Sequence, residues 1–286
     1  MIKNAPFCLD PLIDLMTTLL HTSCVESQVP ISAVLVADSG TGKSKVIKML
    51  SGEGLHHTNS FSSQGLFQLM QIDPENKIRY ILLEDLNPTL SRQQKTVTAT
   101  VANLLTLTMD GTCRVDDGRS EKILKHLPIG LISGVTPEIY KTQTKKWFSL
   151  GLTRRIIPIF YEYTRETERT LLDNVAAGKI NLSDFAPYPF EHKGMHNPHI
   201  DISEAKILEG LAAQFSINLG MSRGKDTNGN VKMYVRKIVP ISPTVILRTI
   251  AQANAIKHKR GKVGEEDITF VSRFLDFTNP TSPKQL

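Results

Sequence analysis

The sequence predicts an α/β fold: a core built on a parallel β-sheet, followed by a small C-terminal α-helical unit. Three observations carry this expectation. Short, strongly apolar runs at Ile31–Val36, Ile78–Leu83 and Ile129–Gly134 suit strands buried on both faces, as parallel sheets require. Segments with helical spacing alternate with those runs, which is the pattern of an α/β core. From residue 201 onward the chain reads as successive helices.

The elements follow in order. Residues 11–21 (PLIDLMTTLLH) space their apolar positions as a helix, and Ile31–Val36 is the first strand. A helix begins at Lys43 and runs to Leu50. Residues 55–61 form a short strand and Gln64–Gln71 a helix. The strand Ile78–Leu83 ends in two acids, Glu84-Asp85, and a long helix follows over Leu90–Met109 until Asp110-Gly111 breaks it. Thr112–Val115 and Ile123–His126 flank Asp116-Asp117-Gly118-Arg119, a hairpin with Asp-Gly at its turn. Ile129–Gly134 and Ile156–Tyr161 are the last two strands, and Pro158 either weakens the second or places it near an edge.

Residues 1–163 are therefore read as the core, and 164–200 as a linker holding a helix near Glu166–Ala177. Residues 201–286 are the helical unit. There Ser203–Leu219 is amphipathic, Gly220–Gly229 reads as a loop and Val231–Val239 as extended. Ser242-Pro243 starts a helix through Ile256, and Gly264–Phe277 is the last one.

The chain has 286 residues, 40% of them hydrophobic and 22% charged, which excludes a disordered chain and permits a sizeable core. The net charge of +6 allows a polyanionic partner without demanding one. Cys8, Cys24 and Cys113 are scattered, with no pairing pattern, and read as reduced thiols. No signal-like start and no run of membrane-spanning length is visible, so a cytoplasmic protein away from membranes is expected.

The chemistry concentrates at Ala37-Asp38-Ser39-Gly40-Thr41-Gly42-Lys43-Ser44, where an apolar strand enters a small-residue loop that opens a helix. This is the GxxxxGK(S/T) pattern, with Ala37 in the place of the first glycine. Consecutive backbone N–H groups in such a loop cradle phosphate oxygens, helped by the helix N-terminus. Lys43 would reach the β- and γ-phosphates and the Ser44 hydroxyl would ligate Mg²⁺, so ATP with Mg²⁺ is the expected cofactor. Position 37 needs a small side chain more than a positive φ. The alternative is a glycine-rich surface turn that happens to end in Lys-Ser.

Glu84 and Asp85 at a strand's C-terminal end occupy a Walker B position, where one carboxylate holds the metal and the other orients or deprotonates water. The usual order is Asp then Glu; here it is reversed, which leaves the two roles open. The alternative is that the acids cap the following helix.

With these motifs in order, nearly the whole chain resembles the AAA+ superfamily of ATPases, although only the phosphate loop is specific by itself. The resemblance implies sensor 1 at Thr136 in LISGVTP and an arginine finger at Arg154 or Arg155 in LTRR. It implies sensor 2 at Arg248. Each of these residues also has a plain surface or strand-end reading. The hairpin around Gly111–Lys125 resembles the pre-sensor-1 hairpin of one AAA+ branch, which includes MCM-type helicases, MoxR proteins and chelatases. In ring-shaped members that hairpin faces the pore, and Arg114, Arg119, Lys122 and Lys125 would then meet a nucleic-acid backbone. Asp116, Asp117 and Glu121 offset much of that charge, so a solvated hairpin is the alternative.

What the resemblance implies is a homo-oligomeric ATPase, in ring form, acting on nucleic acid as a replication helicase, initiator or loader. A protein remodeller with a protein partner, and a weakly hydrolysing nucleotide switch, are the competing expectations. The compact layout resembles ATPases of phages and plasmids. Two further signals stand apart: His192, His196 and His199 as zinc ligands, and the basic run Lys257-His258-Lys259-Arg260-Gly261-Lys262 as a nucleic-acid contact or merely a helix end favoured by its dipole.

Overall fold

A computed structural model of the chain describes residues 9–116, 121–149, 156–178, 187–192, 194–225, 231–235 and 241–286. Helix α1 (Asp10–His21) takes Pro11 in its first turn, where a missing N–H costs nothing, and buries Leu12, Leu15, Met16, Leu19 and Leu20. Strand β1 (Ser32–Val36) is buried throughout and leads through the phosphate-loop sequence into α2 (Lys43–Met49). Short strands β2 (Leu50–Gly52) and β3 (Leu55–Thr58) follow. Helix α3 (Ser63–Gln71) is capped by the Ser62 side chain, which accepts from Gly65 N–H.

Strand β4 (Tyr80–Leu83) is wholly buried. The helix expected over residues 90–109 begins four residues later, as α5 (Gln94–Asp110), and a separate short helix, α4 (Asn87–Leu90), precedes it, with Ser91-Arg92-Gln93 between the two. Strands β5 (Thr112–Asp116) and β6 (Glu121–Lys125) pair antiparallel as the expected hairpin; its tip, 117–120, lies outside the described residues. Strand β7 (Gly130–Val135), helix α6 (Pro137–Ser149) and strand β8 (Ile156–Glu162) complete the order seen in the sequence.

Six strands form one all-parallel sheet once β12 (Lys284–Gln285) is included, in the order β12-β8-β1-β7-β4-β3. Strand β7 thus lies between β1 and β4, so the loop after β1 and the acids after β4 project from the same sheet edge with one strand between them. Pro158 faces Val34 of β1, while β12 covers only Tyr161 and Glu162 on the other side of β8. Pro158 therefore sits where no neighbour asks for its missing N–H, the edge option of the two left open.

The segment 164–200 holds more structure than one helix. Thr164 caps α7 (Arg165–Ala176), and β9 (Tyr188–Phe190) pairs with β2. Helix α8 (Ile202–Gly220) then runs into β10 (Met221–Lys225), which pairs antiparallel with β11 (Val231–Val235). Residues 221–225, expected as loop, are strand; MSRGK shows no apolar alternation, and only its partner makes it one. Helices α9 (Ile241–Lys257) and α10 (Glu265–Asp276) close the chain before β12.

Helices cover both sheet faces. On one face α3 and α5 bury Leu66, Val97 and Leu107 against Val34, Ile81 and Leu131. On the other, Leu12, Met16, Leu35, Ile47, Phe215, Leu247 and Phe274 share one cluster, so α8–α10 pack with α1 and α2. No helix among the described residues is long and apolar enough to cross a membrane.

Candidate phosphate-binding cleft

The cleft of about 430 Å³ at the C-terminal edge of the sheet is built by the turn after β1. Ala37 is buried and keeps a negative φ, so its methyl group is tolerated. Gly40 and Gly42 have φ of +85° and +86°, a region open to glycine and strained for other residues. A Cβ on Gly42 would also lie 3.0 Å from Leu9 Cδ1. The loop is tied down from below. The Tyr161 hydroxyl donates to the Thr41 carbonyl at 3.2 Å, and Thr41 Oγ1 donates to the Asp38 carbonyl at 2.7 Å.

Lys43 Nζ donates to the carbonyls of Ala37 and Asp38, both at 2.6 Å. Burial pushes its ammonium below the ordinary lysine value, while Asp38 and Asp85 act to raise it. Ser44 lines the same cleft, half-buried in the first turn of α2.

Glu84 and Asp85 close the opposite wall. Their carboxylates go different ways. Glu84 Oε2 is 2.9 Å from Lys48 Nζ on α2, whereas Asp85 Oδ1 accepts the Asn87 N–H at 2.9 Å. Asp85 thus does hold the start of α4, the helix-capping alternative, while remaining exposed in the cleft. Gly134, at the end of β7, lets the two walls approach: a Cβ there would lie 2.9 Å from the Glu84 carbonyl oxygen and 3.4 Å from Lys43 Cβ.

Thr136 reaches the cleft from the end of β7 and caps α6, its Oγ1 accepting the Ile139 N–H at 3.5 Å. Arg248 is exposed on α9 and is not among the cleft-lining residues. Arg154, Arg155 and Arg119 lie outside the described residues. On the hairpin, Arg114, Lys122 and Lys125 are exposed; Arg114 pairs with Glu121 at 3.6 Å, and its backbone N–H donates to Asn103 on α5.

Sequence reasoning missed the third wall. Leu171, Leu172 and Val175 on α7, with Tyr163 just ahead of the helix, bring an apolar surface to the cleft, Leu172 being 70% exposed. A Leu-Val pair three residues apart on an otherwise polar helix was the available signal. The two remaining motifs have partners within the fold. His192 bonds the Ser23 carbonyl and His199 pairs with Asp201, and no group of three or more His, Cys, Asp or Glu among the described residues is placed to hold a metal ion. In the basic run, Lys257 pairs with Asp14, Arg260 with Glu266 and Asp267, and Lys262 with Asp201, which answers most of its charge within the fold.

The donor set fits Mg²⁺ with a nucleotide. One hydroxyl and two carboxylates supply hard oxygen ligands, too few for an all-protein cage but suited to an ion shared with phosphates. No known protein-family model matches the chain, and no curated protein matches its sequence.

Proposed function

We propose that the chain is a Mg²⁺-dependent ATPase of AAA+ type that oligomerises and acts on nucleic acid. The observation that carries the reading is the convergence, in one cleft, of the Gly42-Lys43-Ser44 turn with Glu84 and Asp85 from two strands away. The loop would hold the phosphates through its N–H groups and the start of α2, with Lys43 exchanging its two carbonyl partners for phosphate oxygens. Mg²⁺, held by Ser44 and an acid, would neutralise phosphate charge. Asp85, which forms no ion pair among the described residues and whose charge is felt at Lys43, would orient water. The apolar surface of Leu171, Leu172 and Val175 suits the flat face of a base.

Nucleic acid is favoured over a protein substrate by the exposed Arg114, Lys122 and Lys125 on the hairpin and by the net charge of +6. A weakly hydrolysing switch is the second reading, supported by the engagement of both acids, Glu84 with Lys48 and Asp85 with the Asn87 N–H. Turnover measured alone and with single-stranded DNA, double-stranded DNA and RNA separates these. Stimulation by one nucleic acid supports the motor; slow turnover indifferent to all three supports the switch. Oligomerisation is tested by mixing Lys43→Ala with Arg154→Ala: partial recovery of hydrolysis requires Arg154 to act across an interface, where such arginines contribute about 10³–10⁵ in kcat in GTPases.

A further inference from the structure

We infer that Lys48 and the divalent metal compete for Glu84, so that Lys48 sets the metal requirement of the cleft; this rests on the nucleotide reading above. Along β4, Tyr80 and Leu82 belong to the cluster shared with α1 and α2, while Ile81 and Leu83 face α3 and α5. Strand alternation therefore turns Glu84 toward α2. Lys48 meets it there at 2.9 Å. Of the two lysines that line the cleft itself, Lys43 and Lys45, the first is committed to the carbonyls of Ala37 and Asp38, and Asp85 is committed to the Asn87 N–H. Glu84 is thus the acid whose charge is answered by a side-chain ammonium.

A dication that uses Glu84 must share the carboxylate with that ammonium or displace it, and like charges on one carboxylate repel. Lys48 is 62% exposed and Glu84 29%, so the lysine can swing into water at small cost. The competition is accordingly modest, about two- to fivefold in metal affinity, the range of exposed ion pairs.

The test is a Mg²⁺ titration of the binding of a fluorescent ATP analogue to the full chain. Lys48→Met should lower the half-saturating Mg²⁺ about two- to fivefold. Lys48→Arg should keep the wild-type value, and Lys48→Met should shift nothing in a Glu84→Gln background. An unchanged or raised half-saturation in Lys48→Met overturns the inference, as does an equal shift in the Glu84→Gln background. A merely structural lysine would instead weaken Mg²⁺-free nucleotide binding and melting temperature in both backgrounds. If the wild-type chain binds no nucleotide at any Mg²⁺ concentration, the nucleotide reading itself fails.

Discussion

Replacing Gly134 by alanine puts a methyl carbon 2.9 Å from the Glu84 carbonyl oxygen, but 3.4 and 3.6 Å from Lys43 Cβ and Cδ. The lysine contacts are ordinary van der Waals distances, so the strain falls on the backbone of the acid-bearing wall. That wall must retreat by roughly half an ångström, since interiors are close-packed and hold no slack. The Leu86 N–H to Gly134 carbonyl bond, now 2.9 Å, resists the movement. Overpacking of this kind costs about 1–3 kcal/mol. Because a misplacement of 1 Å can cost about 10²-fold in rate, half of that predicts about tenfold slower ATP hydrolysis. Gly130→Ala is the control on the same strand. Its methyl would strike Tyr80 Cε1 at 2.0 Å, deep in the core, where the Tyr80 hydroxyl bonds the Leu19 and Ile31 carbonyls. It should lower the melting temperature more than Gly134→Ala, yet leave turnover per folded molecule unchanged. Steady-state hydrolysis normalised to folded protein, with thermal melts, reads both effects. If Gly134→Ala hydrolyses ATP within twofold of wild type, the two walls do not form one site and the geometric argument is wrong.

Further outcomes follow from the same structure. Glu84→Gln and Asp85→Asn should separate, the first raising the Mg²⁺ requirement and the second retaining nucleotide but turning over slowly; equal kinetics in the two variants would contradict the divided roles. Residues 284–286 brace α7, since β12 pairs at Tyr161 and Glu162 and the Leu286 carbonyl accepts from Thr164 N–H and Thr167 Oγ1. Deleting them should weaken binding of the ATP analogue about threefold or more by loosening the apolar wall, on the scale of one lost hydrogen bond; an unchanged affinity would show that α7 needs no brace. Burial pushes the Asp73 carboxyl up, but the Ile78 N–H, His126 and the Lys77 N–H together hold it below the ordinary carboxylate value. Its contribution to stability is therefore complete above that ordinary value and is lost as pH falls through the depressed one. Thermal melts below about pH 4 should fall more steeply for wild type than for Asp73→Asn, and parallel curves would refute this.

Local pattern made the phosphate-loop turn, the buried β4 and the paired acids legible, because each is written in contiguous residues. The hairpin was legible for the same reason, as were the helices over 10–21 and 265–276. What depends on partners was hidden. The 221–225 strand exists through 231–235, and the two-residue β12 through the exposed side of β8. The insertion of β7 between β1 and β4 is a matter of sheet order, and it explains why a side chain on Gly134 would press on the Glu84 backbone. Nothing in the local sequence pairs Lys48 with Glu84; the pair exists because β4 turns Glu84 toward α2.

Binding of a fluorescent ATP analogue in the presence of Mg²⁺, by wild type and by Lys43→Ala, tests the central claim most directly. Among the described residues Lys43 Nζ bonds loop carbonyls, those of Ala37 and Asp38, so its removal should leave the melting temperature nearly unchanged. The account predicts saturable binding by wild type and at least about 100-fold weaker binding by the variant, the loss expected when a buried charged phosphate contact is removed. Equal binding by the two proteins, or no binding by wild type, would contradict it.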